Sequence, residues 1–318
     1  MKLGVCSQIF YHLPLTEGLA FARELGIEAV EIPVHRGNPF IDLDAALDGA
    51  WEDLARVVDD AGMTISALSI HQEGQLLLGP HGEDTDGVMK GTPEEKSAYA
   101  QSRMIKAGAL AQKMGLDVVV GFTGCEDYSR WFPWPLADGY SRMAGPFREK
   151  LMPVLDAYGA GGVRFAHECH PRQFAYNLET ALWAVEIVDD HPAMGFNLDP
   201  ANLLLAGMDP VVFVAELGHR IHHVHAKDGQ SVPHRVGRSG LLAHGAWDRK
   251  DRGFRFRVPG WGDLHWKALI TELQLAGFRG TLSIEHEDPT MSRREGLQKA
   301  VAHLRPLLLR DPPEARWW

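Results

Sequence analysis

The stretch Gly195-Phe196-Asn197-Leu198-Asp199-Pro200-Ala201-Asn202 is a short, largely apolar run that ends in a carboxylate and amides. Runs of this kind recur along the chain. They start near Lys2, Ile27, Met63, Asp117, Gly162, Ala193, Ile221 and Thr281. Several follow a glycine that closes a helical stretch, as in Leu25-Gly26, Ala61-Gly62 and Met114-Gly115. Glycine just past a helix end accepts the left-handed conformation, so the next strand can start at once. The runs are short and rich in Val and Ile, as buried parallel strands are. Helical stretches fill the gaps. One opens at the capping-box pattern Thr92-Pro93-Glu94-Glu95, one at Asp209-Pro210, and one at Ser292-x-x-Glu295. Eight strands alternating with helices predict a parallel, closed (β/α)8 TIM barrel, with residues 1–318 forming one α/β domain. An open doubly wound sheet is the weaker reading, because no G-x-G-x-x-G follows the first strand.

Composition narrows the function classes. Of 318 residues, 32 are Lys or Arg and 42 are Asp or Glu, a formal net charge of −10. That balance argues against a nucleic-acid binder or an anionic-membrane binder. No apolar stretch approaches the ~18 residues of a membrane span, and the N-terminus turns polar too soon for a signal-peptide core. Cys6, Cys125 and Cys169 form no C-x-x-C pair, which suits a reducing compartment. A cytoplasmic protein is expected. There are sixteen His, concentrated in the second half.

In a barrel, chemistry sits at the C-terminal ends of the strands. Strand five ends in Phe165-Ala166-His167-Glu168-Cys169-His170-Pro171, and strand six in the stretch quoted above. Strand seven ends in His222-His223-Val224-His225-Ala226-Lys227-Asp228, and strand eight in Leu282-Ser283-Ile284-Glu285-His286-Glu287-Asp288. Alternation puts residues i and i+2 on one face. Glu168 then shares a face with His170, Asp199 with Asn197, His225 with His223, and Glu285 with Ser283 and Glu287. One parity per strand brings Glu168, Asp199, His225 and Glu285 into one pocket. Three carboxylates packed together repel, and a divalent cation relieves that repulsion. Three oxygen ligands and one imidazole suit Mn²⁺ first, with Mg²⁺, Co²⁺, Zn²⁺ or Fe²⁺ as alternatives. Such a cation acts as a Lewis acid on a carbonyl and its neighbouring hydroxyl and stabilises an enediolate. Isomerisation, epimerisation and β-elimination share that first step.

The pieces Glu168-Cys169-His170-Pro171, Asn197-Leu198-Asp199-Pro200-Ala201-Asn202, His223-Val224-His225-Ala226-Lys227-Asp228 and Ser283-Ile284-Glu285-His286-Glu287-Asp288 carry a resemblance. The chain resembles the xylose isomerase-like TIM-barrel family of sugar isomerases and epimerases over nearly its whole length. The resemblance implies a metal held by Glu168, Asp199, His225 and Glu285. It also implies that Glu168 and Glu285 exchange protons with a keto-sugar from opposite sides. Many relatives carry His where this chain has Asn202, and an amide cannot exchange protons at neutral pH; His170 or His71 is the expected substitute. Expected substrate contacts are His71, His170, Asn202, Lys227 and Arg235. The first expectation is an isomerase or epimerase of a small carbohydrate. The alternative is a lyase that dehydrates an inosose or eliminates from a 3-keto-glycoside. An endonuclease IV-like nuclease and a non-catalytic sugar-binding subunit rank lower.

Other features are weighed beside these. Glu31 ends strand two and reads equally as an ion-pair partner or a substrate contact. The segment 229–262 is a long connection with Arg235, Arg238, Arg249, Lys250, Arg252, Arg255 and Arg257 against Asp248 and Asp251. It reads either as a solvated excursion or as a lid whose arginines meet the substrate. A second long connection covers roughly 70–95. Trp131-Phe132-Pro133-Trp134 could stack on a sugar or fill a dimer contact. The terminal Trp317 and Trp318 favour burial on the barrel or a partner subunit, and a homo-oligomer (dimer or tetramer) is expected.

Overall fold

The structure is a computed structural model and describes residues 1–126, 128 and 139–311. The Trp131–Trp134 cluster and the terminal tryptophans lie outside the described residues. Among the described residues, no helix is long and apolar enough to cross a membrane.

Among the described residues there are ten strands: β1 (Lys2–Cys6), β2 (Ala29–Pro33), β3 (Thr64–Ser69), β4 (Val118–Gly121), β5 (Arg164–Glu168), β6 (Met194–Leu198), β7 (Ile221–Ala226), β8 (Asp228–Ser231), β9 (Phe254–Arg257) and β10 (Thr281–Ile284). Eight of them close a parallel barrel in the order β1-β10-β7-β6-β5-β4-β3-β2. Each expected strand start falls within two residues of an observed one. Helices return the chain between strands, among them Leu15–Glu24, Trp51–Asp60, Pro93–Lys113, Ala144–Ala160 and Arg293–Leu304. Thr92 and Glu95 make the reciprocal capping box, and Ser292 and Asp209 cap their helices through the side chain.

The two faces of the strands differ in kind. The outward parity carries Leu3, Val5, Val30, Ile32, Phe165 and Ile284, all fully buried in the main apolar cluster with the helices. The inward parity is small or polar. Ala67, Val118, Val120 and Ala166 make a separate buried cluster on the β3–β5 side. Glu31, His223, His225 and Ser283, each at most 1% exposed, occupy the other side. Side chains of the first kind fill the interior, and those of the second bring chemistry into it.

Two irregularities lie beside the polar half. The pairing of β2 with β3 shifts between Val30 and Glu31, and that of β6 with β7 shifts between Phe196 and Asn197. The second shift leaves His222 unpaired between Ile221 and His223. A bulge of this kind re-aims the following side chains. It works here because position 195 is glycine: a Cβ would stand 2.1 Å from His222 Nε2.

The connection 229–262 is not an irregular loop. β8 and β9 pair as an antiparallel ribbon, Asp228 opposite Arg257 through Ser231 opposite Phe254, with a helix Pro233–Ser239 between them. The alternation Phe254-Arg255-Phe256-Arg257 puts both phenylalanines on one face, where they bury against Ala201 and Leu205. A charge-based reading of the segment overlooked this two-residue period.

Candidate metal centre and active site

Strand register assembles the site. β5 sets Glu168 beside Asn197, β6 sets Asn197 beside His223, and β7 sets His225 beside Ser283. Asp199 and Glu285 follow just beyond the ends of β6 and β10. Asp199 also caps the helix Pro200–Leu205, its Oδ1 accepting from the backbone N–H of Ala201 (2.9 Å) and Asn202 (3.2 Å). The cap locks the carboxylate and leaves Oδ2 facing the barrel mouth.

The four expected ligands come together around one nitrogen. His225 Nδ1 lies 3.0 Å from Glu168 Oε2 and 3.3 Å from Glu285 Oε2. Asp199, His225 and Glu285 offer ligand atoms within 4.8 Å of one another, as do His71, Glu168 and His225. Each carboxylate is also held from behind. Asn202 Nδ2 donates to Glu168 Oε1 and to Asp199 Oδ2, both at 2.8 Å. Asn197 Nδ2 donates to Glu168 Oε2 at 2.8 Å, and His71 Nε2 lies 3.0 Å from the same oxygen. Asn202 thus sits behind the carboxylates, 1% exposed, rather than in the open cavity.

Lys227 supplies a fixed positive charge. Its Nζ lies 2.6 Å from Glu285 Oε2, 2.8 Å from Asp199 Oδ2 and 3.1 Å from Glu287 Oε2, with the Phe256 ring 4.7 Å away. One ammonium does not balance Glu31, Glu168, Asp199, Glu285 and Glu287. Burial pushes Asp199 up to about 7, with Glu168 and Glu285 adding to the rise against Lys227. Burial also opposes charge on Glu168 and Glu285. His225 and His71 nevertheless hold Glu168 well below the carboxylate range, and Lys227 and His225 bring Glu285 down to about 2. For His225, burial disfavours the imidazolium, but Glu31, Glu285 and Glu168 raise its pKa well above the ordinary value.

These residues fit a divalent cation. His225 Nδ1 is buried and makes no hydrogen bond, although two carboxylate oxygens stand within 3.3 Å of it. A lone pair that faces anionic oxygens is stable only with a proton or a cation between them. Glu168, Asp199, His225 and Glu285 would hold the ion. The grouping of Glu31, His223 and His225 differs, because both imidazoles already bind Glu31 Oε2 (3.1 and 3.0 Å).

A cavity of about 220 Å³ opens over this set. His71, His170 and Lys227, three of the candidate substrate contacts, line it. Gln8, His35 and Gln72 line it too and escaped the sequence reading, since each follows a strand with no spacing pattern to mark it. Arg235 lies on the Pro233–Ser239 helix and is not among the lining residues. Three other arginines of the segment are taken up locally. Arg252, 2% exposed, caps the carbonyls of Gly245 and Ala246 and stacks 3.9 Å from Trp247. Arg257 binds Asp288 at 2.7 Å, and Arg249 binds Asp251 at 2.9 Å.

Comparison with known proteins agrees with this architecture. Over 316 residues the chain is 29% identical to the uncharacterized protein YfiH of Bacillus subtilis (strain 168), covering 96% of this chain and 98% of the relative. Among solved structures, the probable 3-DHS dehydratase AsbF of Bacillus anthracis superposes with a TM-score of 0.66 at 19% identity, over 96% of this chain and 99% of that one. The 3-keto-D-glucoside 4-epimerase YcjR of E. coli does so with a TM-score of 0.66 at 16% identity, over 96% and 99%. These two likenesses are of fold. The xylose isomerase-like TIM barrel family model matches residues 19–307. The chain therefore belongs to the xylose isomerase-like TIM-barrel family.

Proposed function

We propose that this protein is a divalent-metal-dependent isomerase or epimerase of a keto-sugar or sugar derivative. The observation that carries the reading is the convergence of Glu168 and Glu285 on the unbonded His225 Nδ1. When bound there, a divalent cation, Mn²⁺ by the ligand set, would act as a Lewis acid on the substrate oxygens.

The chain's own residues do the rest. Glu168 and Glu285 arise from β5 and β10, with β6 and β7 between them, which supports their acting on a substrate from different sides. Both stay ionised at neutral pH, the state a proton acceptor requires. One carboxylate takes the proton from the carbon next to the carbonyl. The C–H electron pair becomes a carbon–carbon double bond, and the carbonyl oxygen takes the negative charge. For isomerisation, the now protonated carboxylate returns its proton to the neighbouring carbon, whose hydroxyl proton passes to the former carbonyl oxygen. For epimerisation, the other carboxylate first takes a proton from solvent in the cavity and delivers it to the opposite face. His71, 3.0 Å from Glu168 and partly exposed, could exchange the proton held on Glu168 with the cavity. Asn197 and Asn202 orient Glu168 and exchange no proton. His170, Lys227, Gln8, His35 and Gln72 line the cavity, which supports them as contacts for substrate hydroxyls.

The test is isotope exchange. The metal-supplemented protein is incubated in D₂O with candidate ketoses, an inosose and 3-keto-glycosides. Deuterium entering carbon without loss of a group supports the proposal. Loss of water or aglycone makes the protein a lyase instead. Full activity after exhaustive chelation overturns the metal dependence.

A further inference from the structure

Glu31 projects into the barrel interior from β2, with β1 and β10 between it and β7 around the barrel. It is fully buried. Its Oε2 alone takes three donors: His225 Nε2 at 3.0 Å, His223 Nε2 at 3.1 Å and Ser283 Oγ at 3.1 Å. Its Oε1 takes none, and Glu31 is among the residues that line the cavity. A carboxylate oxygen with three donors aimed at it has no proton to give, so each imidazole must present an N–H there.

That requirement decides the form of His225. The two neutral tautomers of an imidazole are close in energy, and a hydrogen bond to one nitrogen selects between them. With Nε2–H held on Glu31, the lone pair falls on Nδ1, the atom that faces Glu168 and Glu285. His223 and Ser283 keep the carboxylate in place. Ser283 pairs directly with His225 in the sheet, and the His223 ring stands edge-on to His225 at 5.9 Å between centroids. The pull of the anion on Nε2–H also makes Nδ1 a stronger donor.

We propose that Glu31 is a positioning residue for the metal centre: with Ser283 and His223 it clamps the Nε2–H edge of His225 so that Nδ1 is presented to the ion. This rests on the metal reading above. The clamp was not visible in the chain order, since its partners lie 192, 194 and 252 residues away from Glu31.

The experiment is Mn²⁺ titration by calorimetry of the wild type, Glu31→Gln and Ser283→Ala, with thermal unfolding of the metal-free proteins alongside. Glu31→Gln is expected to weaken Mn²⁺ binding by about 10- to 100-fold, the range for an outer partner of a ligating His. Ser283→Ala, the milder change, is expected to weaken it by about 2- to 10-fold, as loss of one ordinary hydrogen bond would. In the Zn²⁺-loaded wild type, ¹⁵N NMR should show His225 protonated at Nε2 and metallated at Nδ1. If Glu31→Gln does not fold, Ser283→Ala and the NMR signature decide. Wild-type affinity retained in both folded variants, or metallation at Nε2, overturns the clamp and leaves the metal centre standing. A wild type that binds neither Mn²⁺ nor Zn²⁺ overturns the metal reading and the clamp with it.

Discussion

Glu31 and Asp228 are both fully buried carboxylates, and they are used in opposite ways. Glu31 gathers two imidazoles and a hydroxyl on one oxygen and leaves the other bare. Asp228 uses both oxygens. Oδ1 accepts from the backbone N–H of Gly229 (2.8 Å) and Leu264 (3.1 Å), and Oδ2 from Gly260 N–H (3.0 Å) and Trp266 Nε1–H (2.9 Å). Burial resists charge at both. At Glu31 the cation-capable His225 and His223 win, and the pKa falls well below the carboxylate range. At Asp228 every partner is neutral, burial wins, and the pKa rises. Neutral donors anchor a chain segment, here the base of the ribbon and the turn into the helix Trp266–Leu275. Titratable donors tie a carboxylate to a reactive site.

Substitutions can break this contrast, the largest effect first. Glu285→Gln, at the reactive end of the polar half, should lower kcat by about 10²- to 10⁴-fold, the range for removing a positioned proton-transfer group. Steady-state assay on the substrate identified by deuterium exchange checks it, with circular dichroism confirming the fold. Asp228→Asn should act on stability instead. The amide turns an N–H₂ toward donors that need an acceptor, at a cost of about 1–3 kcal/mol. Urea unfolding measures that cost, and a loss of Mn²⁺ affinity in this variant would show that the two regions are not separable.

pH sharpens the comparison. Metal binding needs Asp199 ionised and His225 without its Nδ1 proton. Asp199 has its pKa near 7 and His225 lies above the ordinary value, so the protonated forms, which oppose the ion, gain as pH falls. Mn²⁺ affinity is therefore expected to be at least about tenfold weaker at pH 6 than at pH 8, with proton release on binding. Calorimetry in buffers of different ionisation enthalpy reads both, and a flat profile would contradict the assignment. The smallest effect belongs to the ribbon's surface. Arg249 pairs with Asp251, which is 55% exposed. Arg249→Ala should change stability by less than about 0.5 kcal/mol, measured by the same urea titration.

The fold was legible because its signals are local. Glycine after a helix, a capping box at Thr92–Glu95, and short Val- and Ile-rich runs are each read within a dozen residues, and eight of them make a barrel. The four candidate ligands were legible for a related reason. Strand ends sit at one mouth of a barrel, so a polar residue at the end of β5, β6, β7 and β10 has a predictable address.

Partnership was not legible. The sequence marks Glu31 as a buried-strand carboxylate, and marks Asn202 as an amide just past a strand end. Only closure of the sheet showed that Glu31 faces His225 and that Asn202 braces two carboxylates. The ribbon's arginines read as a basic patch, and only their packing showed Arg252 buried on Trp247 and Arg257 held by Asp288. Local chemistry sets which residues can form strands, caps and ligands. Which donor meets which acceptor depends on strand register and on two bulges, and those are decided by the whole barrel at once.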